Sequence, residues 1–198
     1  MFEEKNMTSD KMNMHGEVEI YIINNKTKER KLHCNSHNLI VYSGREWVLS
    51  RILNINNTNI LPNSADYISW LSVGTGGAPV SDPLSPIPPT NMDSSLANEV
   101  PIIAGAVNLA DNGNKIGFSD VSFLQDNLNM NRYLITRLSV LFDETMLNGY
   151  NINEAGLWIS NSNQPTLANV YYLFARYTFP SISKSPDIQF EIIWYLYS

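Results

Sequence analysis

The strongest signal in the chain is alternation of polar and apolar positions. Residues 17–22, Glu-Val-Glu-Ile-Tyr-Ile, alternate with a period of two, and the alternation returns over residues 31–41 after Asn24-Asn25-Lys26-Thr27. A period of two sends successive side chains to opposite faces of an extended strand, and the Asn-rich break is turn chemistry, so the pair predicts a β-hairpin. Further extended runs are predicted at 67–73, 102–109, 115–123, 133–142, 152–160, 170–179 and 188–197. Within 133–142 the inward set is Leu134, Thr136, Leu138, Val140 and Phe142. In the final run Ile188, Phe190, Ile192, Trp194 and Leu196 form one face. The other face, Gln189, Glu191, Ile193, Tyr195 and Tyr197, is also rich in apolar and aromatic groups. Such a strand is expected to be covered on both sides, by its own core and by a helix or a neighbouring subunit.

Helical signals are sparse. Ser43-Gly44-Arg45-Glu46 reads as a capping box, in which the Ser43 hydroxyl and the Glu46 carboxylate each satisfy the other residue's amide. It predicts a helix over 44–54 with Trp47, Val48, Arg51 and Ile52 on the face toward a sheet. Asp93 is placed to cap a second, short helix over 94–99. Between strand and cap, residues 78–92 hold Pro79, Pro83, Pro86, Pro88 and Pro89, which forbid both helix and ladder. An extended surface excursion of this length usually carries function or meets a partner. Residues 1–15 lack periodicity and read as a flexible N-terminal arm. The whole predicts a mainly β protein: one domain over 16–198, an antiparallel β-sandwich of about 8–9 strands with one or two short helices.

Composition narrows the function. Lys and Arg number 13 against 19 Asp and Glu, a net charge of −6, and no basic cluster is longer than 28–31. Phosphate-backbone binding needs several convergent cations, so nucleic acid is not an expected partner. No apolar run approaches the roughly 20 residues of a membrane helix, and none is expected to enter a membrane. The single cysteine, Cys34, excludes an intrachain disulfide. Charged residues are only 16% of the chain while 43% are hydrophobic, so the surface is covered largely by uncharged polar groups, a profile suited to contact with other proteins.

No catalytic, cofactor or metal set emerges. Gly74, Gly76 and Gly77 follow a strand as a phosphate loop would, but no Lys-Ser/Thr follows and Pro79 stands where a dinucleotide fingerprint requires its third glycine. They are expected to turn the chain from a buried strand into the proline-rich excursion. His33, Cys34 and His37 have metal-like spacing, yet a structural zinc site needs four ligands, and neighbours on a strand face opposite ways. With His15, His33 and His37 the only histidines and no Gly-x-Ser-x-Gly, a hydrolytic triad is not expected. Two charges stand out inside otherwise apolar strands: Glu154 in "INEAGLWI" and Arg176 in "YYLFARYTF". A charge so placed must be paired or face a partner, and Glu154 is expected to take Arg176, or else Arg45.

The succession "SGREWVLSRIL", "ISWLSVGTGGAP", "SSLANEV", "INEAGLWIS" and "LFARYTFPSISKSPDIQFEIIWYLY" resembles a class of tailed-bacteriophage virion proteins, the collar or attachment domains of tail fibres and related neck, tail and baseplate proteins. The resemblance spans about residues 38–198 and rests on order, no single motif being specific. It implies a non-enzymatic structural protein of the phage tail or neck region, made in the bacterial host cytoplasm. Its implied partners are other virion tail, neck or baseplate proteins and further copies of itself. The proline loop, Tyr195 and Tyr197 are then contact surfaces, and no cofactor is needed. The alternative is a carbohydrate-binding β-sandwich module, with exposed Tyr and Trp stacking on a glycan.

Overall fold

The computed structural model of the chain describes residues 14–53, 66–102, 109–110, 113–125, 134–160 and 170–197. The predicted arm therefore lies, up to residue 13, outside the described residues, as does most of the predicted strand 102–109. In chain order the elements are β1 (His15–Asn24), β2 (Arg30–Ile40), α1 (Tyr42–Leu53), β3 (Tyr67–Gly74), β4 (Leu109–Ala110), β5 (Lys115–Gly117), β6 (Asp120–Gln125), β7 (Leu134–Phe142), β8 (Asn151–Ser160), β9 (Tyr171–Ser183) and β10 (Ile188–Tyr197).

The protein is mainly β, with antiparallel strands and, among the described residues, one α-helix. Two separate sheets were expected, but the strands form one sheet in the order β4-β5-β3-β8-β9-β2-β1-β10-β7-β6. The link is β2. Residues 30–38 pair with β1, while Leu39 and Ile40 pair with Ala175 and Arg176 of β9, so one strand belongs to both halves. The sheet curls because the halves share a core. Val18, Ile20, Ile192 and Trp194 of one half meet Leu71, Val73, Ala155, Leu157 and Phe174 of the other in a single buried cluster. Apolar burial of this kind is the main stabilising term.

The β1–β2 hairpin turns through Asn24, whose side-chain oxygen accepts from the amides of Lys26 and Thr27, and through Lys28 in the left-handed region at φ 58°. The predicted strand 115–123 is split. β5 pairs in the β3 half and β6 in the β7 half, and the chain crosses between them where Ser119 donates twice to the Ser139 carbonyl. β10 follows its alternation, with Phe190, Ile192 and Trp194 fully buried.

The capping box does not form. The helix starts at Tyr42, so Ser43 is already inside it, and its hydroxyl donates to the Leu173 carbonyl of β9. Glu46 is exposed. The entry is satisfied from elsewhere: the Val41 amide donates to Phe174 and the Tyr42 amide to Asn91. Tertiary partners here displace the local cap. The helix also uses only part of its predicted apolar face. Trp47 stands edge-on to Phe174 at 5.8 Å and donates to the Asp66 carbonyl, whereas Ile52 is exposed. Residues 94–99 form no helix, because Asp93 is engaged by other partners.

Candidate functional site

The segment from Thr75 to Glu99 lies across the outer face of β8 and β9 and explains why β8 is buried at every position after Asn151. Leu96 closes a small second core with Val41, Trp70, Trp158 and Leu173 on that outer face. Beside it sit the two charges singled out from the sequence. Glu154 is fully buried and Arg176 is 7% exposed. Arg176 Nη2 and Nε donate to Glu154 Oε2 at 2.6 and 3.1 Å. Its Nη1 donates to Asp93 Oδ2 at 2.7 Å, so one guanidinium joins the sheet to the loop. Burial pulls the Arg176 pKa down, but the two carboxylates outweigh it and leave it raised. For Asp93, burial is outweighed in the same way by Thr90 and Arg176, which hold the carboxyl below its ordinary value. Arg45, the other partner considered for Glu154, donates instead to the Ile40 carbonyl and to Asn91.

The glycine loop does cradle an anion, but that anion is the protein's own. Glu154 Oε1 accepts from the amides of Gly76 (3.0 Å) and Asn98 (2.8 Å), and Oε2 accepts from Ala97 (3.0 Å). Asn153 Oδ1 accepts from the Gly77 amide at 2.7 Å. A carboxylate thus fills the place that a phosphate occupies in a nucleotide loop. Close approach explains the glycines. A Cβ on Gly74 would meet Asn98 O and Glu154 Oε1 at 2.5 Å, and one on Gly77 would strike the Asn153 carbonyl.

Further bonds fix the rest of the loop. The Ile87 amide donates to Gly77 O, Thr178 Oγ1 to Ile87 O, and the Ser181 amide to Pro83 O. At the exit Glu99 bridges to Gly74, and its carboxylate receives Lys115 Nζ at 3.0 and 3.2 Å, with the ammonium 4.0 Å above the Trp158 ring. What this framework presents to solvent is largely apolar. Val80 is 99% exposed, Leu84, Ile87 and Met92 are exposed, and Asp82 is the one charge in residues 78–92. Of the prolines, Pro83 and Pro88 are exposed while Pro79, Pro86 and Pro89 are half-buried.

Tyr195 and Tyr197 lie on the outer face of the other half. Tyr195 and Tyr21 both donate to Glu19 Oε2, and Tyr197 donates to Glu17 Oε2 at 3.0 Å. Burial and the Glu17 carboxylate push the Tyr197 phenol up to about 12. The ring faces have neighbours: Arg30 lies 3.3 Å above Tyr21, and His15 stacks on Tyr197 at 4.6 Å. Ile193, on the same outer face, is buried.

His33, Cys34 and His37 diverge. His33 Nε2 donates to the Pro180 carbonyl, Cys34 is half-buried with its thiol pushed up by burial, and His37 faces Glu17 at 3.6 Å. Among the described residues no three His, Cys, Asp or Glu side chains are grouped to hold a metal ion. Sequence reasoning found Glu154 and Arg176 but missed Asp93, Asn153, Glu99 and Lys115. The one available signal was Lys115, a charge opening a predicted strand. Comparison with protein-family models, with curated proteins and with solved structures finds no match.

Proposed function

We propose that this chain is a non-enzymatic structural component of a tailed phage particle, an adaptor of the neck, tail, baseplate or fibre attachment that acts through protein–protein contacts. The observation that carries the reading is the loop. A buried ion network holds a proline-rich segment rigidly on the sheet while Val80, Leu84 and Met92 project into solvent. Preorganised apolar side chains bind at low entropic cost, since the ordering has been done during folding. In this reading the two halves of the curled sheet act as the layers of a β-sandwich that share β2. Glycan binding fits less well, because Arg30 and His15 occupy ring faces of Tyr21 and Tyr197 that a sugar would need.

The test is particle composition. Mass spectrometry of particles purified from the phage that encodes the chain should find it in fixed stoichiometry with tail proteins. A variant with Val80, Leu84 and Met92 all changed to Ser should fold but be depleted from particles. Absence of the wild-type chain from particles, or full incorporation of the variant, would refute the reading.

A further inference from the structure

The proline loop has a structural counterpart elsewhere on the same molecule. Among the described residues, beside α1 and β6 where the two halves of the curled sheet part, lies a cleft of about 330 Å³. Trp47, Phe174, Val121, Phe123, Leu196 and Tyr197 are among the residues that line it. Phe123 is 70% exposed and Val121 also projects into solvent. About 150 Å³ is enough to take a benzene ring, so this cleft has room for more than one side chain. None of its described lining residues is charged.

We propose that this cleft receives the proline-rich loop of a second copy of the chain, giving a head-to-tail contact; the proposal rests on the structural reading above. Three observations select this occupant. Aromatic-lined grooves are the usual receptors for proline-rich segments, and residues 85–90, Ser-Pro-Ile-Pro-Pro-Thr, are such a segment, with Ile87 and Pro88 exposed. Charge points the same way. The chain carries a net charge of −6, so two copies repel overall, whereas this contact joins a cleft with no charged residue among its described lining to a loop whose single charge, Asp82, is held by the Ser85 hydroxyl at 2.6 Å. Geometry makes the contact intermolecular. The loop is tied to the outer face of β9 through Thr178 and Ser181 and to α1 through Tyr42, while its own cleft opens on the inner side of the sheet. Because loop and cleft are different patches, the contact is heterologous and repeats from copy to copy, closing into a ring or running on as a filament.

The test uses two variants of the full chain and their mixture. Leu84→Asp with Ile87→Asp disables the loop, and Phe123→Asp disables the cleft; all three positions are exposed, so circular dichroism and Tm should stay near wild type. In light scattering over a concentration series, wild type should self-associate, and each variant should do so about 30-fold more weakly. Mixed at equal amounts, the variants should form a one-to-one dimer that grows no further, since the intact loop of one meets the intact cleft of the other. A wild type that stays monomeric, a mixture that stays monomeric, or single variants that still dimerise would each overturn the proposal. The last result would mark an isologous contact. Particle incorporation separates this contact from the wider reading. A monomeric wild type that is still found in particles ends the head-to-tail contact alone, and absence from particles ends both.

Discussion

Glu154→Ala tests the framework at its centre. The substitution removes the acceptor for three backbone amides and for two guanidinium bonds. It leaves Arg176 buried with Asp93 as its remaining carboxylate. Each buried donor left unsatisfied costs about 1–3 kcal/mol, but Ala97 and Asn98 are exposed and water can recover part of that, so the terms do not simply add. Removing one member of a buried pair costs about 3–5 kcal/mol, and we take that as the net expectation. For a chain of this length 1 kcal/mol shifts Tm by about 2–4 °C, so Tm should fall by roughly 6–20 °C. Urea denaturation gives the free energy directly. Hydrogen exchange should show faster opening at Gly76, Ala97 and Asn98 than in β1 or β10. Glu154→Gln, which keeps one acceptor oxygen, should fall between wild type and Ala. A loss below about 1 kcal/mol, the range of exposed ion pairs, would mean that Glu154 does not hold the loop.

Other expectations concern separate links of the same structure. Gly77→Ala drives a methyl into the Asn153 backbone and should cost several kcal/mol, whereas Gly149→Ala meets no neighbour and should cost only the roughly 1–2 kcal/mol of its left-handed φ of 88°; chemical denaturation of the two variants separates clash from backbone strain. Asp93 is depressed in the folded state, so its contribution is fully present above its unfolded value of 3.8 and is lost as pH falls through the folded value; Asp93→Asn should flatten that acid limb of a stability–pH curve. Tyr197 is raised, so its contribution is intact below 10.0 and is lost as pH climbs toward about 12. In an NMR titration Glu17→Gln should bring that ionisation down, because the carboxylate is one of its causes.

What was legible in the sequence is what repeats. Alternation located β1, β2, β7 and β10 closely, and the inward set Phe190, Ile192 and Trp194 is buried as the period requires. Glu154 and Arg176 were legible because a charge in an apolar strand has few physical solutions. The partners that tie the loop down were not legible. Asp93 and Asn91 are ordinary loop residues and Asn153 an ordinary strand residue until folding brings them to Arg176, Tyr42 and Gly77, and no local pattern records such long-range bonds. Ser43 misled for the converse reason: a sound local cap lost to the Leu173 carbonyl, 130 residues away. The single sheet was hidden because, among the described residues, Leu39 and Ile40 alone join its halves.

The position of β1 also constrains how the chain can fold. It is flanked by β2 on one side and by β10 on the other, with His15 opposite Tyr197. The hairpin partner is close in sequence and can pair within microseconds, but the opposite edge of β1 stays open until the chain has been made through residue 197. Until then Val18 and Ile20 lack the Trp194 and Ile192 that cover them, and a strand with one open edge is a template for unwanted pairing. Folding should therefore be slow, completed only once β10 has been made, and sensitive to truncation within β10.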